Sequence, residues 1–405
     1  MESKSLNQGF ASPAGLLTLT AASGILAGFV EVFLLGIQKF GFGHAILLGP
    51  RVVWMAAAAD LLLFVTVGLL MVGLLRFRPK LISPRLALTV FVFLSLAGWL
   101  LIFPRIKWYA SLILAAGLAV RIGQLLRPRL KPSRVKFTAK LAMAVLILLT
   151  ISCEGWLNWQ ERQSIADLPA PPANAPNVLL LVMDTVGAQN LSLYGYQRAT
   201  TPNLEALAKR GAVFETAIST APWTAPSHAG MFTGHFPHDC STDWDKPLDR
   251  HYPTLAETLR GFGYATGGVV ANTLICGYES GLNRGFTHYD DYSLSSSELL
   301  VSSSLIRATV HSAPLRRLTG YQQIITRKSA KEINAGFLNW LDVLPKTEGK
   351  KARPFFAFLN YFDTHEPYLP PAPFDKKFGQ GPATHYRARH ELRRSFRYDR
   401  EKMTE

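Results

Sequence analysis

Five long apolar runs fill the first 157 residues of the chain, and short polar segments separate them. A helix needs about 20 mostly apolar residues to cross a bilayer. The pattern therefore predicts an N-terminal bundle of five transmembrane helices over residues 1–157, with a lipid bilayer as partner. The predicted spans are Leu16–Ile37, Val52–Leu75, Leu86–Phe103, Trp108–Leu126 and Phe137–Leu157.

The charges of the loops predict the orientation of this bundle. The loops after the second and fourth runs are rich in lysine and arginine, whereas the alternate loops hold two basic residues each. Because positive loops stay in the cytoplasm, we expect a cytoplasmic N-terminus and an extracytoplasmic position for everything after Leu157. The basic residues of the two loops are Arg76, Arg78, Lys80 and Arg85, then Arg127, Arg129, Lys131, Arg134 and Lys136.

Two carboxylates interrupt the apolar pattern, Glu31 in the first run and Asp60 in the second. A carboxylate in the bilayer is costly and needs a partner. One interpretation is a polar groove for a lipid head group. The other, which we favour, is a protonated or hydrogen-bonded contact between helices.

Alternating strand and helix patterns follow a Pro- and Ala-rich segment. The prolines of Gln160–Ala175 predict an extended linker, and we assign 158–176 to it and 177–405 to a second domain. Strand–helix alternation indicates an α/β domain with a mostly parallel sheet, which binds ligands at the carboxyl ends of its strands. Ser295–Ser304 is predicted to be a loop or an insertion. The predicted strands are Asn177–Asp184, Ala265–Ala271 and Pro354–Phe362, and the predicted helices are Pro202–Gly211, Thr254–Phe262 and Ser329–Val343.

Charge and cysteine content exclude two classes of function. The net charge of +15 comes partly from topology-determining loops, and no zinc-finger or RNA-binding motif accompanies it, so we expect no nucleic-acid partner. None of the three cysteines forms a CxxC pair, which argues against a cysteine-based metal site. Cys240 and Cys276 form either a disulfide or two buried thiols, and Cys153 ends an apolar run.

The most informative stretch for chemistry is Ala221–Gly234, where Thr224 and Ser227 flank a Pro-Ser step that opens a predicted helix. The N-terminus of a helix presents free N–H groups and a positive dipole end, which together bind anions. A hydroxyl group there becomes a nucleophile when a metal ion lowers its pKa.

This stretch resembles the nucleophile signature of the sulfatase family, which belongs to the alkaline-phosphatase superfamily. Further stretches resemble that family in the same order, from Asn177 to Pro371. They are Asp184-Thr-Val-Gly-Ala-Gln-Asn-Leu-Ser-Leu-Tyr-Gly-Tyr196, Arg198-Ala-Thr-Thr-Pro-Asn-Leu204, Gly263-Tyr-Ala-Thr266, Gly281-Leu-Asn-Arg-Gly-Phe286 and Phe362-Asp-Thr-His365-Glu-Pro-Tyr368.

The resemblance implies a role for five residues. Asp184 would bind a divalent metal ion (Zn, Mn, Mg or Ca), and Thr224 would be the nucleophile and a second metal ligand. Ser227 and His365 would contact the anionic ester or leaving group, with His365 and His228 also taking part in catalysis. The simpler alternatives are a strand-end carboxylate for Asp184, a helix cap for Thr224, a structural contact for His228 and a turn residue for His365. His235, His238, His251 and His288 are expected on the surface or in packing contacts.

Three departures from the family pattern shape the functional hypothesis. Thr224 stands where sulfatases carry the Cys or Ser that becomes formylglycine, and threonine cannot yield that aldehyde. The change fits relatives with a threonine nucleophile, namely membrane phosphoethanolamine and glycerophosphate transferases and nucleotide phosphodiesterases. Thr185 replaces the second Asp of a common metal-binding pair, and Gln189 stands where related sequences often carry Asp.

The third departure concerns the residues after Pro371. The family's later Asp-His or Asp-Asn metal pair has no match there, and we expect a truncated chain or ligands from elsewhere. The acidic and histidine residues of the basic tail that do not match this pair are His385, His390, Asp399 and Glu401.

The sequence therefore predicts a membrane-anchored, metal-dependent hydrolase or transferase. Its substrate would be a phosphate or sulfate ester, such as a lipid head group or a glycan, with Thr224 favouring phosphodiester or phosphotransfer chemistry. The alternatives are a sulfuric ester hydrolase and a catalytically inactive, truncated binding module.

Overall fold

The chain forms two compact units in the computed structural model. The first unit comprises the described residues up to 162 together with 292–319, and the second comprises 163–291 and the described residues after 319. The second predicted domain, 177–405, is therefore interrupted by a segment that groups with the membrane helices. The structure describes residues 12–378 apart from 45, 79–82, 104, 127–129, 244–245, 293, 320–326, 345–352, 367 and 369.

Helices and strands follow one another in the order that the sequence pattern predicts, with additional short elements. The strands are β1 (Val178–Met183), β2 (Ala265–Val270), β3 (His288–Asp290) and β4 (Phe355–Tyr361). The helices are α1 (Pro13–Gly36), α2 (Val52–Phe77), α3 (Pro84–Leu101), α4 (Trp108–Leu126), α5 (Pro132–Ala166), α6 (Pro202–Ala208), α7 (Thr224–Thr233), α8 (Leu255–Gly261), α9 (Thr273–Cys276), α10 (Ser296–Val301), α11 (Ser304–Val310), α12 (Ala313–Thr319) and α13 (Ala330–Asp342).

Helices α1 to α5 confirm the predicted multi-pass membrane region, since five helices of the described residues are long and apolar enough to cross a bilayer. The fifth continues to Ala166, into the segment predicted to be an extended linker. The first proline after Pro132 in this region is Pro169. Because nothing interrupts the helical hydrogen bonds before that proline, the helix extends beyond the apolar run.

Small residues allow α1 and α2 to pack closely. A Cβ atom built on Gly28 would lie 2.3 Å from the Cα atom of Ala57, so any side chain there would push the helices apart. Close backbone approach of this kind is a common source of helix association in membranes. Helix α3 joins the pair through Trp99, whose indole N–H donates to the carbonyl oxygen of Ala27 at 2.9 Å.

Ser295–Ser304, predicted to be a loop or an insertion, forms α10 and the start of α11, which pack on α2 and α3 respectively. It belongs to the segment 292–319, which groups with the first unit and interrupts the second. Ser295 and Ser303 each accept a hydrogen bond from a backbone N–H in the first turn of these helices. Serine is a preferred residue at this capping position. Ser295 and Ser303 therefore mark two helix starts, and the loop alternative is wrong.

A buried polar cluster lies where these helices meet the membrane bundle, formed by Glu31, Asp60, Ser303, Ser304 and Arg307. The Ser303 hydroxyl donates to Asp60 Oδ1 at 2.6 Å. The backbone N–H and hydroxyl of Ser304 donate to Glu31 Oε1 at 2.7 and 2.5 Å, and Arg307 donates to Ser304 Oγ at 2.8 Å. The two membrane carboxylates are thus hydrogen-bonded between helices, as predicted, but with partners beyond the predicted spans.

The second unit contains a parallel sheet with strand order β1-β4-β2-β3, which confirms the predicted α/β class. Helices cover both faces of its central strands. On one face, Phe232 of α7 packs with Phe356 and Phe358 of β4. On the other face, Ile333 and Trp340 of α13 pack against β2 and β4.

Strand β1 is buried on one face only, although its continuous apolar sequence is typical of a strand buried on both faces. It pairs with β4 on one side within the described residues, and its burial alternates along the strand. Leu179, Leu181 and Met183 are 46%, 51% and 41% exposed, whereas the alternate residues pack in the core. A continuous apolar run cannot distinguish these two environments.

The structure distinguishes between a disulfide and two buried thiols for Cys240 and Cys276. Cys240 and Cys276 are both buried and both free. Burial raises the pKa of the Cys276 thiol above its usual range, which makes it an unreactive core residue.

Gly285 has a backbone conformation and an environment that exclude a side chain. Its φ is +86°, and a Cβ atom would lie 2.2 Å from the backbone nitrogen of Glu257. We therefore expect Gly285→Ala to lower the free energy of unfolding by at least about 2 kcal/mol. Thermal unfolding in detergent, followed by circular dichroism, tests this. Gly261→Ala is the control: its Cβ would meet no atom within 4 Å, so we expect no loss of stability.

Candidate active site

A pocket of about 680 Å³ opens at the carboxyl end of β1, beside the N-terminus of α7. Asp184 follows β1, and its backbone N–H donates to the carbonyl oxygen of Tyr361, which continues the strand pairing. Its side chain is 8% exposed. The pocket brings together all five residues implied by the sequence, namely Asp184, Thr224, Ser227, His228 and His365.

Thr224 is the first residue of α7, and its hydroxyl points toward Asp184. The capping position belongs to Trp223, which makes no side-chain capping bond. The Thr224 hydroxyl instead donates to Asp184 Oδ2 at 3.4 Å, so the capping alternative for this residue does not hold. The carboxylate and hydroxyl are therefore adjacent at a positive helix end.

The backbone of α7 leaves few free donors at this end. The first N–H groups of a helix have no intrahelical acceptor. Pro226 has no N–H, and the N–H of Ser227 donates to the carbonyl oxygen of Trp223 at 3.0 Å. The N–H groups of Thr224 and Ala225 are thus the ones suited to an anion. The Ser227 hydroxyl lies 2.7 Å from the Ser219 hydroxyl, in the pocket lining.

Three polar residues that the sequence did not single out hold Asp184 in place. The Asn272 side-chain amide donates to Asp184 Oδ2 at 3.2 Å, and the Asn272 N–H donates to Asn360 Oδ1 at 3.1 Å. The Thr364 hydroxyl donates to the Asp184 carbonyl oxygen at 2.6 Å. The sequence contains a signal for Asn360, because it is the one amide in a strand whose other residues are apolar or aromatic.

The turn after Asp184 is strained at Thr185, where φ is +62°. Positive φ is unusual for a β-branched residue and costs about 1–2 kcal/mol. The Thr185 hydroxyl donates to the carbonyl oxygen of Thr364 at 3.1 Å, which ties the two chain segments together. The threonine in place of the family's second aspartate therefore has a structural contact here.

His228 is buried under the first turn of α7, 3% exposed. Its Nδ1 lies 2.8 Å from the Thr224 carbonyl oxygen, which places the proton on Nδ1. Its ring packs edge-on against Phe358, and its Nε2 has no hydrogen-bond partner among the described residues. Burial lowers the pKa of His228, and the Thr224 carbonyl and Asp184 oppose that change.

Because His228 is buried, the free energy of unfolding is expected to decrease as the pH falls. The unfolded His228 binds a proton below about pH 6.5, whereas the folded residue stays neutral until the pH falls to its lowered pKa. We therefore expect stability to fall with decreasing pH in this window, by at most about 1.4 kcal/mol per pH unit from this residue. Melting temperatures measured from pH 8 to pH 5 test this. The His228→Gln profile should be flatter, and parallel profiles would contradict the expectation.

His365 lies in the pocket lining, in the loop after β4. Its ring stacks on Phe362 at 4.1 Å between centroids, and its Nδ1 lies 3.0 Å from the Glu366 carbonyl oxygen. This stacking orients the ring beside the pocket. Elsewhere, His235 stacks on Tyr252, in agreement with its predicted packing role.

The donor set at Asp184 and Thr224 fits a divalent metal ion in its chemistry. Carboxylate and hydroxyl oxygens are ligands that hard cations prefer, and the two groups lie within 3.4 Å of each other. The part of the chain that the structure describes contains no group of three or more His, Cys, Asp or Glu side chains that could hold a metal ion. His385, His390, Asp399 and Glu401 lie outside the described residues.

The curated relatives of the chain are sulfatases with limited coverage. Arylsulfatase A of Bos taurus is 36% identical over 104 residues, which are 24% of this chain and 20% of that protein. N-acetylgalactosamine-6-O-sulfatase of Bacteroides thetaiotaomicron is 33% identical over 98 residues, 23% of this chain and 19% of that protein. The matched part thus spans about a fifth of these relatives.

Among solved structures, the chain is similar to the integral membrane protein lipooligosaccharide phosphoethanolamine transferase A of Neisseria meningitidis. The match has 16% identity and a TM-score of 0.37, and it covers 91% of this chain and 73% of that chain. The profile of the Sulfatase family matches residues 176–398, which is more than half of the sequence. The protein therefore belongs to the sulfatase family.

Proposed function

We propose that this membrane-anchored member of the sulfatase family transfers or hydrolyses phosphate esters, with Thr224 as the nucleophile. The observation that carries the proposal is the Thr224 hydroxyl at the N-terminus of α7, directed at Asp184 Oδ2 at 3.4 Å in an open pocket. A hydroxyl beside a carboxylate at a positive helix end is suited to attack an anionic ester.

The reaction would proceed in two displacements. The Thr224 oxygen forms a bond to phosphorus as its proton passes to Asp184 Oδ2, the acceptor of its hydrogen bond, and the bond from phosphorus to the leaving alcohol breaks. The free backbone N–H groups of α7 face the phosphoryl oxygens. His365, whose ring is held by its stack on Phe362, donates a proton to the oxygen of the leaving alcohol. Water or an acceptor alcohol then attacks phosphorus and gives its proton to His365, the bond from phosphorus to Thr224 breaks, and the Thr224 oxygen regains its proton from Asp184.

Asp184 and Thr224 are the residues that would hold the divalent metal ion (Zn, Mn, Mg or Ca). When bound, such an ion lowers the pKa of an attacking hydroxyl and stabilises negative charge on the ester oxygens. Asn272 supports this role because its amide holds the Asp184 carboxylate, and Thr364 holds the Asp184 backbone through the carbonyl oxygen. His228, buried and neutral, sets the first turn of the helix through the Thr224 carbonyl.

A membrane lipid head group or a membrane-linked glycan is the proposed source of the ester. The five apolar helices support this, since they keep the pocket-bearing chain at a bilayer. The basic loops support a cytoplasmic N-terminus and an extracytoplasmic pocket. Reporter fusions after residues 45, 80, 105 and 130 test the orientation, and a cytoplasmic signal from residue 45 would contradict it.

Mass spectrometry of the intact protein tests the nucleophile. After incubation with an activated phosphodiester and rapid acid quenching, we expect a covalent adduct whose mass equals the transferred phosphoryl group, located on Thr224 by peptide mapping. An adduct on another residue, or turnover with no adduct at any quench time, would contradict the assignment.

The curated relatives favour a second candidate, hydrolysis of sulfate esters, because those proteins are named as sulfatases. Thr224 counts against the formylglycine mechanism, so a sulfatase of this sequence would need direct attack by the hydroxyl. Parallel assays with an aryl sulfate and a matched aryl phosphodiester distinguish the two candidates, since the preferred ester is the one with the higher kcat/KM.

A further inference from the structure

An apolar groove lies between α1 and α5 in the membrane unit, outside the candidate active site. It has a volume of about 650 Å³ and is lined by aliphatic residues of both helices, including Leu17, Met143 and Ile147. Its polar members include Lys136 and Lys140, which lie one turn apart on α5. The groove therefore combines a long apolar floor with two positive charges.

The geometry of α5 places these charges at the head-group level of the bilayer. Trp156 and Trp159 pack together at 5.0 Å and mark one membrane interface, where tryptophan is enriched. The helix rises about 30 Å from Lys136 to Trp156 at about 1.5 Å per residue. Because this equals the thickness of the hydrocarbon core, Lys136 lies at the opposite interface.

The length of the groove matches one leaflet. From Lys136 to Ile147 the helix rises about 16 Å, and half of the hydrocarbon core is about 15 Å. An acyl chain that starts at the head-group level and ends at the bilayer centre would thus follow the apolar lining. The positive loops assign this end of α5 to the cytoplasmic leaflet, which in cells carries anionic lipids.

The two lysines are available to an anionic ligand. Both are exposed, and no carboxylate of the described residues forms an ion pair with either one. We propose that this groove is a binding site for a phospholipid with a net negative head group. The phosphate would contact Lys136 and Lys140, and one acyl chain would occupy the groove.

Native mass spectrometry of the full chain, released from detergent, tests the proposal with two synthetic lipids of identical acyl chains. Phosphatidylglycerol has a net charge of −1, whereas the choline of phosphatidylcholine neutralises its own phosphate. We expect phosphatidylglycerol to bind more tightly. In the double variant Lys136→Ala and Lys140→Ala, we expect its affinity to fall about 30-fold, since each basic residue near a membrane surface contributes about fivefold.

Two further variants make the result specific. The control, Lys131→Ala with Arg134→Ala, removes the same charge from the same end of α5 but not from the groove lining, and it should keep the lipid preference. Ala144→Phe fills the groove and leaves both lysines in place, and it should weaken the binding of both lipids. Equal affinity for the two lipids in the unmodified chain, or an unchanged preference in the Lys136 and Lys140 variant, would overturn the proposal.

Discussion

Thr224→Ala is expected to lower kcat/KM for a phosphodiester by at least about 10³-fold, with the fold and the pocket retained. The alanine removes the attacking oxygen, and loss of a nucleophile that acts with its neighbours costs about 10³-fold or more. The change also removes the 3.4 Å contact with Asp184. The residue is half-buried at a helix start, so stability should change by less than about 1 kcal/mol.

Thr224→Ser is the matched variant because it keeps the hydroxyl and removes one methyl group. It should retain most of the activity and still form the covalent adduct. Ser227→Ala removes a neighbouring hydroxyl of the same pocket and should act mainly on KM, since that residue is proposed to contact the ester. Full activity of Thr224→Ala would exclude the proposed mechanism.

Arg307→Met is expected to lower the free energy of unfolding by about 3 kcal/mol, because it leaves the buried carboxylates Glu31 and Asp60 without a neighbouring cation. The arginine also donates to Ser304 Oγ and to the Val301 carbonyl oxygen, and methionine makes neither bond. Thermal unfolding in detergent measures the effect. Arg210→Met, at an exposed position of the second unit, is the control and should change stability by less than about 0.5 kcal/mol.

A double-mutant cycle separates charge from packing in this cluster. If the loss arises from unbalanced charge, Glu31→Gln in the Arg307→Met background should recover part of the stability, because the amide keeps the shape of the side chain without its charge. The coupling between the two positions should then be at least about 1 kcal/mol. Additive effects would show that Arg307 acts through packing and its own hydrogen bonds alone.

The sequence predicted the elements whose signals are local. The five apolar runs, the strand that ends at Asp184 and the helix after Thr254 all follow from hydrophobic patterns and capping residues. The helix after Thr254 has both bonds of a capping box, which a Thr followed by Glu three residues later indicates. The position of the pocket was also predictable from the sequence, since ligands bind at the carboxyl ends of parallel strands.

The features that the sequence did not predict depend on contacts far apart in the chain. Asn272 contacts Asp184 across the sheet only because β2 and β1 flank β4. The serines of Ser295–Ser304 have no apolar period long enough to indicate a helix, and their partners in the bundle are more than 200 residues away. Such pairings are set by tertiary packing, which local propensity does not encode.

The buried polar cluster has a consequence for synthesis of the protein at the ribosome. Asp60 and its partner Ser303 are separated by 243 residues. At about 5–20 residues per second, the first two helices enter the membrane roughly 12–50 s before the ribosome has made the segment that satisfies their carboxylates. During that interval the nascent bundle needs a substitute for these partners, such as water, a proton or the insertion machinery.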